Sequence, residues 1–216
     1  MWETLSSLLA GAQVTALLAI YSSALGAALS FGFGLGKLSR HAAARLLSTV
    51  YIEVFRGTSL LVQLFWIFFA LPLLGLTLEP MTAGVAALAL NIGAYGAEVV
   101  RGAVQAVPKA QHEAARALNF TPRQAMWHVA LPQALPEMLP PFGNLAVQNL
   151  KDTALVSLIT LSDLAFRAES LRNLSQRSAE IYSLTLLIYF GMALLLAALF
   201  KRMERRMGRW KTRRAG

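Results

Sequence analysis

The chain has 216 residues, 56% of them hydrophobic and 14% charged, with 20 Lys and Arg against 11 Asp and Glu. This composition is too apolar for an ordinary soluble domain, and the absence of cysteine excludes disulfide and thiol chemistry. The formal charge of +9 raises a nucleic-acid partner, but the positions of the charges answer that reading below.

No Asp, Glu, Lys, Arg or His occurs from Thr4 to Gly36. A spanning helix needs about 20 apolar residues, and this run supplies them. It is too long for the core of a signal peptide and lacks a basic start. Within it, Gly26, Ser30 and Gly34 recur every four residues, a spacing that lets two helices approach closely in lipid. FGFGLG, residues 31–36, has the look of a phosphate-binding glycine loop. No strand precedes it and its spacing is not GxGxxG, so helix packing is the better reading. Charge-free runs follow over 57–78, 80–97 and 181–200. Over 138–162 the only charges are the adjacent Lys151 and Asp152, and this stretch is read as a further span. The expected fold is therefore an all-α integral membrane protein of about five transmembrane helices.

Between the third and fourth of these runs lies EAARALNFTPRQAMWHVALP, residues 113–132. Pro108 suits a first helical turn, where its missing N–H costs nothing. The helix is expected to run to about Leu118 and stop at Asn119, because Asn readily accepts left-handed backbone. Thr121, Pro122 and Gln124 then form an N-cap, a first helical residue and the third position of a capping box. That second helix is expected to run to about Leu131 and Pro132. Ala114, Ala115 and Leu118 give the first helix a small, flat apolar face suited to docking. Two helices around a tight turn also describe a DNA-reading motif. Tethering at both ends to membrane spans leaves little room for that reading.

Charge sets an expected orientation. Lys37, Arg40 and Arg45 follow the first run. Arg101, Lys109, Arg116 and Arg123 follow the third. Eight Lys and Arg against Glu204 make up the tail over 201–216. The opposite side carries Glu3, Glu79 and a balanced set between Asp163 and Glu180. The bias places the N-terminus outside and the C-terminus in the cytoplasm, where anionic lipid headgroups explain the basic residues without nucleic acid.

The segment 113–132 resembles the EAA loop of ABC-importer permeases through Glu113, Ala114, Ala115, Leu131 and Pro132, with Asn119 at the usual glycine position. YIEVFRGTSLLVQLFW (51–66), NIGAYGAEVVRGAVQAVPKAQ (91–111) and PPFGNLAVQNLKDTALVSLI (140–159) resemble the polar-amino-acid (His/Glu/Gln/Arg/opine) permeases. Ser59 stands where that family usually has Pro. RGTSLLVQLFW and AYGAEVVRG are most similar to ectoine/hydroxyectoine permeases. The resemblance implies one permease domain over 1–216, with a coupling loop at about 104–136 and a basic tail at about 201–216. It implies a bacterial cytoplasmic (inner) membrane location and a solute of the polar-amino-acid or zwitterionic compatible-solute class. It also implies two cytoplasmic ATPase subunits, a second permease that is identical or homologous, and an extracytoplasmic solute-binding protein. Glu113, Ala114, Ala115, Leu118 and Asn119 become the expected ATPase-coupling residues.

Ionisable groups within spans are costly and point to a pathway or an internal pair. Glu98, Gln148, Lys151 and Asp152 are the pathway candidates. Glu98 also has Arg101 three residues on, and Glu53 has Arg56, so internal pairing competes for both. The aromatic cluster Phe65, Trp66, Phe68 and Phe69 reads as packing or a lipid-facing surface, with cation–π contact to a solute as the lesser alternative. The chain lacks a Walker lysine loop, and His41, His112 and His128 have no ligand spacing. No cofactor, metal or catalytic residue is expected of the chain itself. The rivals are a membrane-embedded enzyme, which lacks a catalytic constellation here, and a passive membrane adaptor, which has no use for charges inside a span.

Overall fold

The computed structural model describes the backbone of residues 2–214 and the side chains of residues 2–207; the tail cations Arg209, Lys211, Arg213 and Arg214 fall outside the described side chains. Among the described residues every regular element is helical. Helix α1 (Trp2–Lys37) has 36 residues. At about 1.5 Å per residue it exceeds the roughly 30 Å hydrocarbon core. Helix α4 (Pro80–Gln105) lies along it as the central pair of the fold. The foreseen small-residue stripe forms that seam. A Cβ on Gly34 would sit 2.7 Å from the Ala97 carbonyl, and one on Gly96 would collide with Ser30. Ser30 Oγ lies 2.7 Å from the Gly26 carbonyl on its own helix and 3.2 Å from that of Gly93 on α4. Small side chains bring the backbones close, and a hydroxyl adds a polar contact across the gap.

The second expected span, over 57–78, opens on a break. Helix α2 (Ala42–Gly57) and helix α3 (Leu60–Phe65, continued to Leu74) meet at 106°. Thr58 and Ser59 are extended between them. A break between helices frees carbonyls that lipid cannot satisfy. Side chains do so instead. Thr58 Oγ1 donates to the Val54 carbonyl at 2.7 Å, while Gln63 Nε2 and Asn91 Nδ2 donate to that of Phe55 at 2.9 and 3.1 Å. Polar side chains of this charge-free run and of α4 thus hold the bend.

Among the described residues two wide π turns occur, Trp66–Ala70 and Ala125–Ala130. Each lies just before a proline, Pro72 and Pro132. A proline has no N–H to donate and its ring clashes with the carbonyl four residues back, and widening the turn relieves both problems. The second helix of the polar segment therefore does not stop near Pro132. It starts as α6 (Pro122–Gln124), passes through the π turn and continues as α7 (Leu131–Asp152), closing with a tight 3-10 stretch over Thr153–Ile159. Helix α5 (Lys109–Ala117) precedes it, and helices α8 (Leu164–Ser175) and α9 (Ser178–Arg214) follow.

By length and apolarity, α1, α4 and α9 each qualify as membrane spans, and the bent α2–α3 pair makes a fourth if it is counted as one span. The fifth expected stretch is α7, which does not qualify by length and apolarity. Of the apolar windows, 56% of α4 is buried against 6% of α9, so α4 is the core of the bundle and α9 its rim. Two main clusters fill the interior. Leu18, Leu64, Leu88, Val156 and Ile159 pack together at one level, and Val100, Val104, Leu131 and Met138 at another.

Candidate functional site

A cavity of about 630 Å³ opens where the α2–α3 break faces α4 and α7. Thr58 and Ser59 come from the break, Asn91 and Tyr95 from α4, and Gln148 and Asp152 from α7. Gln148 and Asp152 are one helical turn apart, so both reach the same wall; Gln148 Nε2 donates to Asp152 Oδ1 at 2.9 Å. Leu60, Leu61, Leu88, Ile92, Leu145 and Leu155 add apolar surface, and Asn149 also borders the cavity. Asn149 turns towards α1, where its Nδ2 donates to Ser22 Oγ at 2.8 Å and Ser23 Oγ at 2.9 Å, fixing the angle at which α7 presents its neighbours.

The four pathway candidates divide. Gln148 and Asp152 line the cavity. Lys151 is exposed and outside the lining. Glu98 is also outside it, in an ion cluster near the end of α4. Its Oε2 accepts from Arg101 Nε at 2.8 Å and Nη2 at 2.6 Å, and its Oε1 accepts from Lys37 Nζ at 2.7 Å. The spacing with Arg101 thus forms the internal pair, and Lys37 adds α1 to it. Glu53 does not pair with Arg56 among the described residues. It lies 3.7 Å from Lys37 Nζ, and the Arg56 guanidinium sits 5.3 Å from the Tyr95 ring centroid. Phe69 packs edge-on against both Phe65 and Phe68, and none of the four aromatics of that cluster enters the cavity lining.

Sequence reasoning missed Thr58, Ser59, Asn91 and Tyr95 as cavity residues. The signal available was Gly57-Thr58-Ser59, a helix-breaking triplet inside an otherwise apolar run. Lack of charge pointed to a span and concealed its bend.

The polar loop is built as its caps dictate. Asn119 has φ 58°, in the left-handed region, and Phe120 N–H closes back on the Ala115 carbonyl at 2.9 Å. Thr121 and Gln124 form the reciprocal capping box. Helix α5 packs on the π turn, and Gln133 Nε2 donates to Gln111 Oε1 at 3.2 Å. The coupling candidates are not equivalent. Glu113 and Ala114 are exposed and Leu118 is 69% exposed, whereas Ala115 is 2% exposed. Ala115 therefore lies on the inner face of the loop, where its small size lets α5 settle. Trp127, 54% exposed, borders a shallow groove of about 320 Å³ with Thr121, Arg123, Gln124 and His128. It was not singled out from the sequence, where a lone Trp in a helical run carries no distinguishing mark.

Residues 28–209 match the family described as binding-protein-dependent transport system inner membrane component. The probable amino-acid ABC transporter permease protein y4tF of Sinorhizobium fredii (strain NBRC 101917 / NGR234) is 57% identical over 210 residues, covering 94% of this chain and 88% of that relative. The glutamine transport system permease protein GlnP of Escherichia coli (strain K12) is 34% identical, covering 96% of this chain and 95% of the relative. A crystal structure of an amino acid ABC transporter with histidines superposes with a TM-score of 0.89 at 38% identity, over 95% of this chain and 96% of that one. With a family match across most of its length and relatives aligned nearly end to end, this chain belongs to the inner-membrane components of binding-protein-dependent transport systems.

Proposed function

We propose that the chain is the permease subunit of an ABC importer for amino acids or related zwitterionic solutes, and that the cavity at the α2–α3 break is its solute path. The cavity carries the reading. It has a broken helix, a carboxylate and amides within apolar walls, and irregular backbone at membrane depth is tolerated where it lines such a space. The names of the relatives, for amino acids and for glutamine, support the solute class. The ectoine/hydroxyectoine reading rests on RGTSLLVQLFW and AYGAEVVRG. Such solutes are zwitterions with one cationic group and fit the same class.

The loop at about 104–136 is the coupling element, the tail from 201 is cytoplasmic and the N-terminus is outside, as the Lys/Arg bias supports. Two cytoplasmic ATPase subunits drive the permease, a second permease pairs with it, and an external binding protein delivers solute. Glu113, Ala114, Leu118 and Trp127 form the exposed docking face. Ala115 and Asn119 keep that face rigid, so that ATPase closure is transmitted rather than absorbed.

The test is uptake in proteoliposomes containing the permease, its ATPase and its binding protein. Labelled L-glutamine and ectoine are supplied in parallel. Leu145→Trp, which fills the cavity, is expected to cut uptake at least about 10-fold with ATPase association intact. Wild-type uptake by that variant would remove the cavity from the path. Uptake of ectoine in preference to glutamine selects the narrower reading.

A further inference from the structure

Helix α9 is the rim of the bundle, with 6% of its apolar window buried. Its charge-free run covers residues 181–200. At about 1.5 Å per residue that run matches the roughly 30 Å hydrocarbon core. It ends against α7, where a Cβ on Gly143 would lie 3.1 Å from Phe200 Cβ. The helix does not stop there but continues unbroken to Arg214. Every residue from Lys201 to Arg206 is exposed, and Lys201, Arg202, Arg205 and Arg206 are cations. None of these four forms a salt bridge among the described residues. Successive helical residues turn by about 100°, so the four share an arc of about 140°. Glu204, the acid of this segment, falls outside that arc. By helical rise they begin about 2 Å and end about 9 Å past the hydrocarbon edge, in the layer of the lipid headgroups.

On a rim helix, that layer puts lipid rather than protein beside the cations. Anionic headgroups supply the counter-charge that the fold does not, and each Lys or Arg near the surface adds to the attraction. The three arginines carry planar forks that match phosphate oxygens. An acidic face of an ATPase would have to reach into the headgroup layer to meet the same residues. We propose that Lys201, Arg202, Arg205 and Arg206 form a collar that binds anionic phospholipid headgroups at this end of α9, selecting them over zwitterionic lipids. The collar is separate from the cavity, whose lining includes no residue of α9.

The test uses the full permease–ATPase complex in detergent, equilibrated with equal amounts of phosphatidylglycerol and phosphatidylcholine. The complex is recovered by size exclusion and its retained lipid is quantified. At 50 mM NaCl the wild type is expected to retain phosphatidylglycerol in at least about 5-fold excess. At 1 M NaCl, where screening acts within about 3 Å, the two lipids should approach parity. Replacing all four residues with Gln should lower the low-salt preference at least about 3-fold, and Arg202→Lys, Arg205→Lys and Arg206→Lys together should keep most of it. Inorganic phosphate at matched ionic strength should displace no more lipid than NaCl does. Parity in the wild type at low salt, a preference that survives 1 M NaCl, or a wild-type preference in the Gln variant overturns the proposal. Loss of ATPase co-purification with the lipid preference intact overturns it in favour of an acidic protein surface. Selective displacement by phosphate overturns it in favour of a free-anion site. If the Gln variant does not assemble, the salt and phosphate measurements on the wild type decide.

Discussion

Two groups of ionisable residues sit within or beside the apolar helices, and they are built oppositely. At the end of α4, Glu98 is enclosed by two cations from different elements, Lys37 and Arg101, at 2.7 and 2.6 Å. On α7, Asp152 faces a cavity with only an amide on one oxygen. The first arrangement consumes its charges locally and ties α1 to α4. The second leaves a charge available to something that enters. The costs of the two differ in kind: breaking a closed pair strands a cation, whereas altering the open carboxylate, on the proposed solute path, changes what the cavity accepts. Residue type does not separate these roles, since both are carboxylates in helices; their surroundings do.

The largest expected effect comes from reversing the open charge. Asp152→Lys should reduce uptake of zwitterionic solutes by at least about 100-fold, while membrane levels and ATPase co-purification stay near wild type. A parallel loss of assembly would place Asp152 with Glu98 as an architectural residue and erase the comparison.

Opening the closed cluster should act on stability instead. Glu98→Leu leaves Lys37 and Arg101 facing one another and is expected to cost about 1–3 kcal/mol in the detergent-solubilised protein, a range kept low because these side chains are 18–33% exposed. Thermal unfolding reads the loss. Adding Lys37→Met should recover part of it, and the relative uptake of different solutes should not change. Altered selectivity in Glu98→Leu would show that the cluster belongs to the solute path.

The polar loop offers a smaller effect with no charge involved. Asn119→Gly should be tolerated, because glycine accepts the observed φ of 58° without strain. Asn119→Val should cost about 1–2 kcal/mol locally. The expected readout is weakened ATPase co-purification with normal insertion, and wild-type behaviour of the Val variant would mean that this turn does not position the docking face.

Asp163 sharpens the comparison, since it too is a carboxylate without a basic partner. It lies before α8, outside the spanning segments, and is fully buried. Its Oδ1 accepts from the Phe166 N–H at 2.9 Å and caps the helix. Burial pushes its carboxyl up to about 6. The folded state therefore holds its proton more firmly than the unfolded state, and the associated stability is present at low pH and lost as pH rises through about 6. The thermal midpoint should be higher at pH 5 than at pH 7 by the equivalent of about 1 kcal/mol. Asp163→Asn keeps a capping oxygen and should reduce that dependence. An unchanged pH profile in this variant would assign the dependence to another group.

The caps of the loop were legible because they depend on neighbours in sequence. Asn119, Thr121 and Gln124 act within a few residues of one another, and the backbone adopts what they require. The small-residue stripe of α1 was legible for a similar reason, since a helix places residues four apart on one face. The bend at Thr58 was not, because the acceptors freed by it are satisfied by Gln63 and Asn91, the latter 36 residues from Phe55. The end of the second loop helix was placed at about Leu131 and Pro132, whereas a π turn carries the chain past it into α7.

What this sequence determined by itself was local and periodic: where the chain is apolar enough for membrane, where its polar loop turns, and which face of α1 is small. Those properties follow from side-chain transfer energy, backbone sterics and helical repeat. Tertiary structure alone decided which charges are spent and which remain open. Glu98 and Asp152 look alike in one dimension. Only the placement of Lys37 against α4, and of the α2–α3 break against α7, gives one of them two cations and the other a cavity. The reason is that a carboxylate's solvation and partners depend on elements distant in sequence, which folding brings within a few ångströms.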